Sequence, residues 1–325
     1  MTKLKIAIYW GAACGGCDVA ILDTQEKILE IAELADIVFW PIAVDFKYQD
    51  LENMEDQSID ICMYHGSVRN SEQEQVARLL REKGKTVIAF GSCACFGGIT
   101  GLGNLFTREE ILRRVYKTTP STSNPDNIYP QSETRVREGK IFLPYFQDAV
   151  SSLNKVVKVD YYIPGCPPPV DLIINAVDAI KTGNLPPEGS VLAPEKGLCD
   201  ECPRERKEKV ISEIKRFHEV QDDGKTCLLE QGILCMGPAT RAGCEGACIK
   251  VNMACRGCMG PTPAVIDQGA KMIGSLGSVV GIENEETMSE NEVKKLLDKV
   301  EDLVGSLYSF TLPAALINRK ITKKI

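Results

Sequence analysis

The chain has 325 residues, a formal net charge of −7 at pH 7 and a pI of about 5.2. It contains no long basic run, which argues against a primary role in binding nucleic acid. No apolar stretch is long enough to predict a membrane-spanning helix. With 44% hydrophobic residues the chain can build a sizeable core.

Strand and helix patterns alternate through the first half of the chain. Apolar runs predict strands over 3–10, 36–43, 58–66, 85–92 and 158–165. Apolar residues at helical spacing predict helices over 18–35, 71–84 and 169–183, the first with Asp18 as its N-cap. This alternation is typical of a parallel sheet covered on both faces. We therefore expect an α/β fold with a flavodoxin-like, doubly wound parallel sheet.

The composition changes near residue 184. A polar stretch at 117–140 reads as an insertion or surface loop, and 185–197 is rich in proline and glycine, which is typical of a linker. The sequence therefore predicts two domains, 1–184 and 185–325, the second cysteine-rich and mostly helical and irregular. Its predicted helices cover 204–220, 262–276 and 289–307, the last with a capping box of Ser289 and Glu292.

The 14 cysteines carry most of the functional information. No signal-peptide pattern opens the chain, so a cytoplasmic location is expected. Cysteines there are buried thiols, catalytic thiols or metal ligands rather than a disulfide framework. Only two histidines are present, so any extensive metal chemistry depends on sulfur.

Four cysteines follow predicted strands of the sheet. Cys14 and Cys17 come after the first strand, Cys93 after the fourth and Cys166 after the fifth. Ligands of open parallel sheets bind beyond the carboxyl ends of the strands, so these thiols are expected at one edge. A redox dithiol would leave Cys93 and Cys166 unexplained, and structural zinc is usual in small domains that lack a core. Four thiolates among many glycines favour a 4Fe–4S cluster.

The second half holds eight more cysteines, enough for two further four-thiolate sites: Cys199, Cys202, Cys227, Cys235, Cys244, Cys248, Cys255 and Cys258. Paired zinc sites stay open for this half alone. Cys62 is expected to be a buried packing residue, and Cys95 could replace Cys93 as a ligand. His65 is interpreted as a structural histidine that could also tune the first cluster, and His218 as a surface residue of its helix.

Five motifs resemble those of the small, electron-transfer subunit of nickel–iron hydrogenases. They are CGGCD at 14–18, GSCA at 91–94, GCPPP at 165–169, LCMGP at 234–238 and CRGC at 255–258. The resemblance extends over essentially the whole chain. All-cysteine ligation and the absent export signal make it most similar to the cytoplasmic methyl-viologen-reducing hydrogenases of methanogenic archaea, gamma subunit type. Periplasmic relatives have a histidine distal ligand where this chain has Cys199.

The resemblance implies three 4Fe–4S clusters and no catalytic residue in this chain. The implied ligands are Cys14, Cys17, Cys93 and Cys166 for a proximal cluster, Cys244, Cys248, Cys255 and Cys258 for a medial one, and Cys199, Cys202, Cys227 and Cys235 for a distal one.

The resemblance also implies partners. Hydrogen would be split on a nickel–iron centre in a separate large subunit, because this chain lacks paired C-x-x-C motifs at its two ends. An iron–sulfur adaptor (delta-type) subunit and heterodisulfide reductase would receive the electrons. Alternatives are the small subunit of a deazaflavin-coenzyme-reducing hydrogenase or of a soluble sulfhydrogenase, and, from another class, a zinc-stabilised interaction module.

Overall fold

A central sheet of five parallel strands organises the N-terminal part of the chain. The computed structural model describes residues 3–207, 210–211, 213–279, 289, 291, 294, 298, 300 and 302–320. The strands of the central sheet are β1 (Leu4–Trp10), β2 (Ala35–Phe39), β3 (Ile59–His65), β5 (Gly84–Phe90) and β9 (Tyr161–Ile163). Two short antiparallel pairs join β4 (Val68–Asn70) with β8 (Phe146–Ser151), and β6 (Glu133–Val136) with β7 (Gly139–Phe142).

The strand order is β2-β1-β3-β5-β9, and every neighbouring pair is parallel. This is the flavodoxin-like order that the alternating pattern predicted, so the predicted fold class is confirmed. All five predicted strands are present, although β9 is only three residues long. Their carboxyl ends therefore meet at a single edge of the sheet.

Helices cover both faces of this sheet. The described helices are α1 (Gly16–Leu22), α2 (Lys27–Leu34), α3 (Tyr48–Glu52), α4 (Ser71–Lys83), α5 (Gly91–Phe96), α6 (Arg108–Arg113), α7 (Val170–Thr182), α8 (Ala247–Lys250), α9 (Gln268–Val279) and α10 (Leu303–Leu307). Leu51 of α3 and Leu80 of α4 pack against one face. Ile21 of α1 and Leu172 of α7 pack against the other.

The single helix predicted over 18–35 is wrong, because the chain breaks between α1 and α2 at Gln25, where φ is +54°. The predicted N-cap at Asp18 is wrong as well. Gly15 precedes α1 without a side-chain cap, and Asp18 lies in the first turn. Its carboxylate instead bonds to Trp40 and His65, which are distant in the sequence. The helical pattern gave no indication of this tertiary contact.

The polar segment 117–140 is exposed, as predicted, but it is more ordered than a loop. It includes strand β6 and the start of β7, which form a hairpin. Apolar side chains on and beside this hairpin are exposed, among them Ile141, Phe142 and Tyr145.

The described residues of the C-terminal part are more irregular than helical. Short 3₁₀ turns recur among them, at Leu198–Asp200, Phe217–Glu219, Leu229–Gln231, Gly237–Ala239 and Leu312–Ala314. The helix predicted over 204–220 is wrong for its described residues. There the backbone N–H groups of Glu205 and Lys215 donate to Lys225 and Gly232. These contacts with distant backbone outweigh the high helix propensity of the segment. His218 is exposed as predicted, in a 3₁₀ turn instead of a helix.

Two other C-terminal predictions are confirmed only in part. The helix predicted over 262–276 begins six residues later, at Gln268. Of the helix predicted over 289–307, the structure describes α10 at its end, and Glu292 of the predicted capping box lies outside the described residues. In the described part of the chain, no helix has the length and apolar character needed to cross a membrane.

Candidate metal centres

The four cysteines predicted at the sheet edge lie together. Cys14 follows β1, Cys17 is in the first turn of α1, Cys93 is in α5 directly after β5, and Cys166 follows β9. Burial raises the pKa of Cys17, and the charges of Cys93, Cys166 and Cys14 raise it further. The four thiols, here called the proximal group, are therefore close enough to act on one another electrostatically.

Glycines leave space beside these sulfurs. A Cβ atom on Gly91 would lie 2.5 Å from the sulfur of Cys17, and one on Gly98 would collide with the sulfur of Cys93. Both glycines also have positive φ, which disfavours any other residue. Side chains are thus kept away from the thiols, which fits the space that an iron–sulfur cluster needs.

Two further cysteines lie in the core of the sheet. Cys62 is fully buried in β3, which agrees with its prediction as a packing residue. The thiol of Cys95 lies 3.3 Å from the carbonyl oxygen of Ala89 and 3.7 Å from that of Ile163. Since these contacts direct the Cys95 thiol into the core, Cys93 is the better placed ligand.

A second thiol group lines a cavity of about 360 Å³ in the C-terminal part. Its cysteines are those that the resemblance assigned to the distal site: Cys199, Cys202, Cys227 and Cys235. Burial raises the pKa of Cys199 to about 12, and the charge of Cys235 acts in the same direction, while Arg206 opposes both. These four residues are here called the distal group.

The remaining four cysteines form the medial group: Cys244, Cys248, Cys255 and Cys258. Burial raises the pKa of Cys258 to about 12, and the charges of Cys244 and Cys248 contribute. Burial also holds the pKa of Cys255 well above its usual value, with the charge of Cys258 among the smaller contributions. The charge of Cys235 in the distal group raises the pKa of Cys255 more than the charge of Cys258 does, so Cys255 lies on the side of the medial group that faces the distal one.

Hydrogen bonds link the backbone of the medial group to residues beside the other two groups. The hydroxyl of Ser92, next to Cys93 of the proximal group, donates to the carbonyl oxygen of Cys258. The backbone N–H of Met236, next to Cys235 of the distal group, donates to the carbonyl oxygen of Cys255 at 3.0 Å. The medial group is thus bonded on one side to the proximal group and on the other to the distal group.

The donor set fits iron–sulfur clusters better than single ions. All 14 cysteines are free thiols. Among the described residues, no three His, Cys, Asp or Glu side chains are placed to hold a single metal ion. The distal thiols line a cavity, and thiolates are the usual ligands of iron–sulfur clusters.

A buried polar network beside Cys17 escaped the sequence analysis. The Oδ1 atom of Asp18 accepts a hydrogen bond from Nε1 of Trp40 at 2.8 Å and lies 2.9 Å from Nε2 of His65. Burial alone would raise the pKa of Asp18, but these hydrogen bonds outweigh it and hold the pKa below its usual value. His65 therefore bonds to Asp18, in agreement with its prediction as a structural histidine.

The fold and the cysteine groups define a class, the iron–sulfur proteins that take part in oxidoreductase reactions. A family profile described as "NADH ubiquinone oxidoreductase, 20 Kd subunit" matches residues 14–180. The chain is 42% identical over 98% of its length to the iron–sulfur subunit of the F420-non-reducing hydrogenase of Archaeoglobus profundus, covering 99% of that protein. It is 39% identical over 99% of its length to the corresponding F420-non-reducing hydrogenase subunit of Methanothermobacter thermautotrophicus, covering 98% of that protein.

The chain belongs to the family of nickel–iron hydrogenase small subunits, in its F420-non-reducing branch. The recognition made from the five motifs is therefore confirmed, and the chain is one component of a hydrogenase. Among solved structures, it is 28% identical to a chain of an NAD⁺-reducing NiFe-hydrogenase in the H₂-reduced state, covering 57% of this chain and 94% of that one at a TM-score of 0.49.

Proposed function

We propose that this chain conducts electrons between the nickel–iron site of a separate large subunit and an iron–sulfur acceptor, by way of three 4Fe–4S clusters. The proximal, medial and distal groups would hold one cluster each. The acceptor would be a delta-type adaptor subunit that passes electrons to heterodisulfide reductase. Residues 1–184 and 185–325 would form the two cluster-binding domains.

The observation that carries this proposal is the sequence of contacts between the groups. Ser92, beside Cys93, bonds to the backbone of Cys258 at one junction, and Met236, beside Cys235, bonds to the backbone of Cys255 at the other. The three thiol groups are thus connected in series by backbone contacts instead of being isolated from one another. Such continuity is what a conductor of electrons needs, whereas an interaction module stabilised by metal has no use for it.

Bound iron–sulfur clusters supply one-electron redox chemistry. The chain contributes the thiolate ligands, the hydrogen bonds to their sulfurs and an environment of low polarity, which together tune reduction potentials. The raised pKa values of Cys93, Cys199 and Cys258 mean that these thiols carry protons at neutral pH before metal binds. Those protons leave when iron binds, so assembly of the sites is favoured by higher pH.

The surface chemistry supports one partner at each end. Cys14 and Cys166 of the proximal group are exposed, and so are the apolar side chains of Trp10, Val19 and Ile99, each a few residues along the chain from a proximal cysteine. Exposed apolar side chains near proposed cluster ligands suit a permanent partner, here the large subunit. At the other end, the cavity of the distal group is lined in part by exposed residues such as Lys271, where an acceptor can approach.

Purified, anaerobic protein tests the proposal directly. We expect about 12 iron atoms per chain from three 4Fe–4S clusters, with brown absorption that dithionite bleaches. The isolated chain is expected to lack hydrogenase activity, and its complex with the large subunit is expected to reduce dyes with hydrogen. A colourless zinc protein would support the interaction module, and hydrogen splitting by the chain alone would contradict the assignment.

Cys248 decides the type of the medial cluster. As the fourth thiol it would complete a 4Fe–4S cluster, whereas three thiols would leave a 3Fe–4S cluster. We expect no 3Fe–4S signal in the electron paramagnetic resonance spectrum of oxidised native protein, and such a signal in Cys248→Pro. A stoichiometric 3Fe–4S signal in native protein under strictly anaerobic handling would show that Cys248 is not a ligand.

The relatives are named as hydrogenases that do not reduce F420, which is the deazaflavin coenzyme. Their names therefore favour a different acceptor. The delta subunit of a sulfhydrogenase of Pyrococcus furiosus is 25% identical over 80% of this chain, which favours that alternative less. Hydrogen-dependent reduction assays with the deazaflavin coenzyme and with polysulfide distinguish these functions. We expect neither to be reduced at the rate of methyl viologen.

A further inference from the structure

Ser92 occupies the junction between the proximal and medial groups. It is the residue before Cys93 in α5, and its side chain is almost fully buried. Its backbone N–H donates to the carbonyl oxygen of Gly165 at 2.7 Å. Its hydroxyl donates to the carbonyl oxygen of Cys258. One small residue therefore contacts two other segments of the chain.

Each of these contacts ends at or beside a thiol ligand. Gly165 directly precedes Cys166, so the backbone contact of Ser92 aligns the two strand-end loops of the proximal group. Cys258 belongs to the medial group, so the hydroxyl contact attaches that group to the same point. Ser92 is thus bonded to both loops that form the Cys166–Cys258 junction.

The junction between the proximal and medial groups depends on the relative position of these two loops. Through its two hydrogen bonds, Ser92 holds the loop that carries Cys166 beside the loop that carries Cys258. Both loops have irregular backbone around glycines of positive φ, at Gly165 and Gly257, and no regular ladder joins them. A hydrogen bond from a buried hydroxyl to a loop carbonyl restrains such a contact with little added volume.

We propose that Ser92 is a positioning residue that holds the loops of Cys166 and Cys258 together and thereby sets electronic coupling between the proximal and medial sites. This inference depends on the proposed function, because it assumes a cluster on each side of the contact. Its new content is the hydroxyl of Ser92, which is not a ligand and carries no charge. Without it, both clusters are expected to assemble but to communicate less well.

The test uses the complex with its large subunit and compares Ser92→Ala with a matched control. Ser152 is also fully buried, and its hydroxyl bonds to Asn154 instead of to a loop that carries one of the grouped thiols. Ser152→Ala therefore measures the general effect of losing a buried hydroxyl. Ser92→Thr keeps the hydroxyl and tests for rescue.

The main readout is the magnetic interaction between reduced clusters in electron paramagnetic resonance spectra. In Ser92→Ala we expect full iron content, a weaker interaction between two clusters and a several-fold slower reduction of the medial site by way of the proximal one. Ser152→Ala and Ser92→Thr are expected to keep the native spectrum. An unchanged interaction in Ser92→Ala, with iron content and fold intact, would overturn the inference.

A second comparison applies if Ser92→Ala does not assemble. Ser92→Cys replaces the hydroxyl by a weaker donor of similar shape, so the interaction is expected to be weaker than in Ser92→Thr. Equal interaction in these two variants would overturn the inference. Native protein that shows no interaction between clusters, or no iron, would contradict the proposed function itself, which is a different result.

Discussion

The proximal group and the two C-terminal groups are held by different kinds of structure. Strand ends and the first turns of helices α1 and α5 position the proximal thiols, and the sheet behind them has its own apolar core. Turns, irregular backbone and the short helix α8 position the medial and distal thiols. There the core itself includes proposed ligands, since Cys235 and Cys255 are each 6% exposed within the apolar cluster.

This difference indicates that the two halves of the chain depend on metal to different degrees for their folding. The sheet buries large side chains such as Phe39 and Tyr64 without help from any ligand. The C-terminal core is built around thiols that the metal would draw together, so iron should contribute directly to its folding. The comparison therefore predicts that one half of the chain tolerates loss of iron and the other does not.

The largest expected effect comes from removing all iron with a chelator under reducing conditions. Amide protection is expected to fall throughout the described residues of 197–279 and to persist in β1, β3 and β5. Hydrogen–deuterium exchange followed by mass spectrometry measures both regions in one experiment. Equal loss of protection in the two halves would show that the sheet depends on metal as much as the loops do.

A pair of single substitutions sharpens the same comparison. Cys14→Ser and Cys235→Ser are each expected to remove the iron of one cluster. Cys235→Ser additionally leaves a hydroxyl in an apolar core, at a cost of roughly 1–3 kcal/mol, whereas Cys14 is exposed. Thermal unfolding of the two variants should separate them, and equal melting temperatures would contradict the distinction.

The sequence predicted the regularly built half well and the irregular half poorly. Strand β3 and helix α4 have clear periodicity, and their order along the chain determines which cysteines share an edge. The segment 204–220 has an equally clear helical pattern, yet its backbone bonds to residues such as Lys225 and Gly232. Such contacts are set by tertiary structure, which local periodicity does not encode. The roles of Ser92 and Asp18 were hidden for the same reason.

Asp18 provides a test within the regular half. In Asp18→Ala, the Nε1 of Trp40 and the ring of His65 lose a buried partner, at a cost of roughly 1–3 kcal/mol. We expect urea to release iron from the proximal group at a lower concentration than in native protein. Asp18→Asn keeps an acceptor oxygen and serves as the control. If both variants lose iron equally, the charge of Asp18 matters more than its hydrogen bonds.

The smallest effect is expected at Cys62. Cys62→Ala removes one buried sulfur from β3 and should cost about 1 kcal/mol of stability, with iron content and dye reduction unchanged. Denaturant unfolding and iron analysis together check this. Loss of a cluster in Cys62→Ala while Cys14→Ser keeps all three would show that the thiols are grouped incorrectly.

The position of the two tryptophans has an optical consequence. They are the chain's entire tryptophan content, and both lie beside the proximal group. A Cβ atom added to Gly15, the residue after Cys14, would lie 3.7 Å from the ring of Trp10. Trp40 donates a hydrogen bond to Asp18, the residue after Cys17. A bound chromophore that absorbs in the near ultraviolet and visible range quenches nearby indole emission by energy transfer. Tryptophan fluorescence should therefore decrease most strongly when a cluster assembles at the proximal group. The emission of a purified sample then measures how fully that site is occupied.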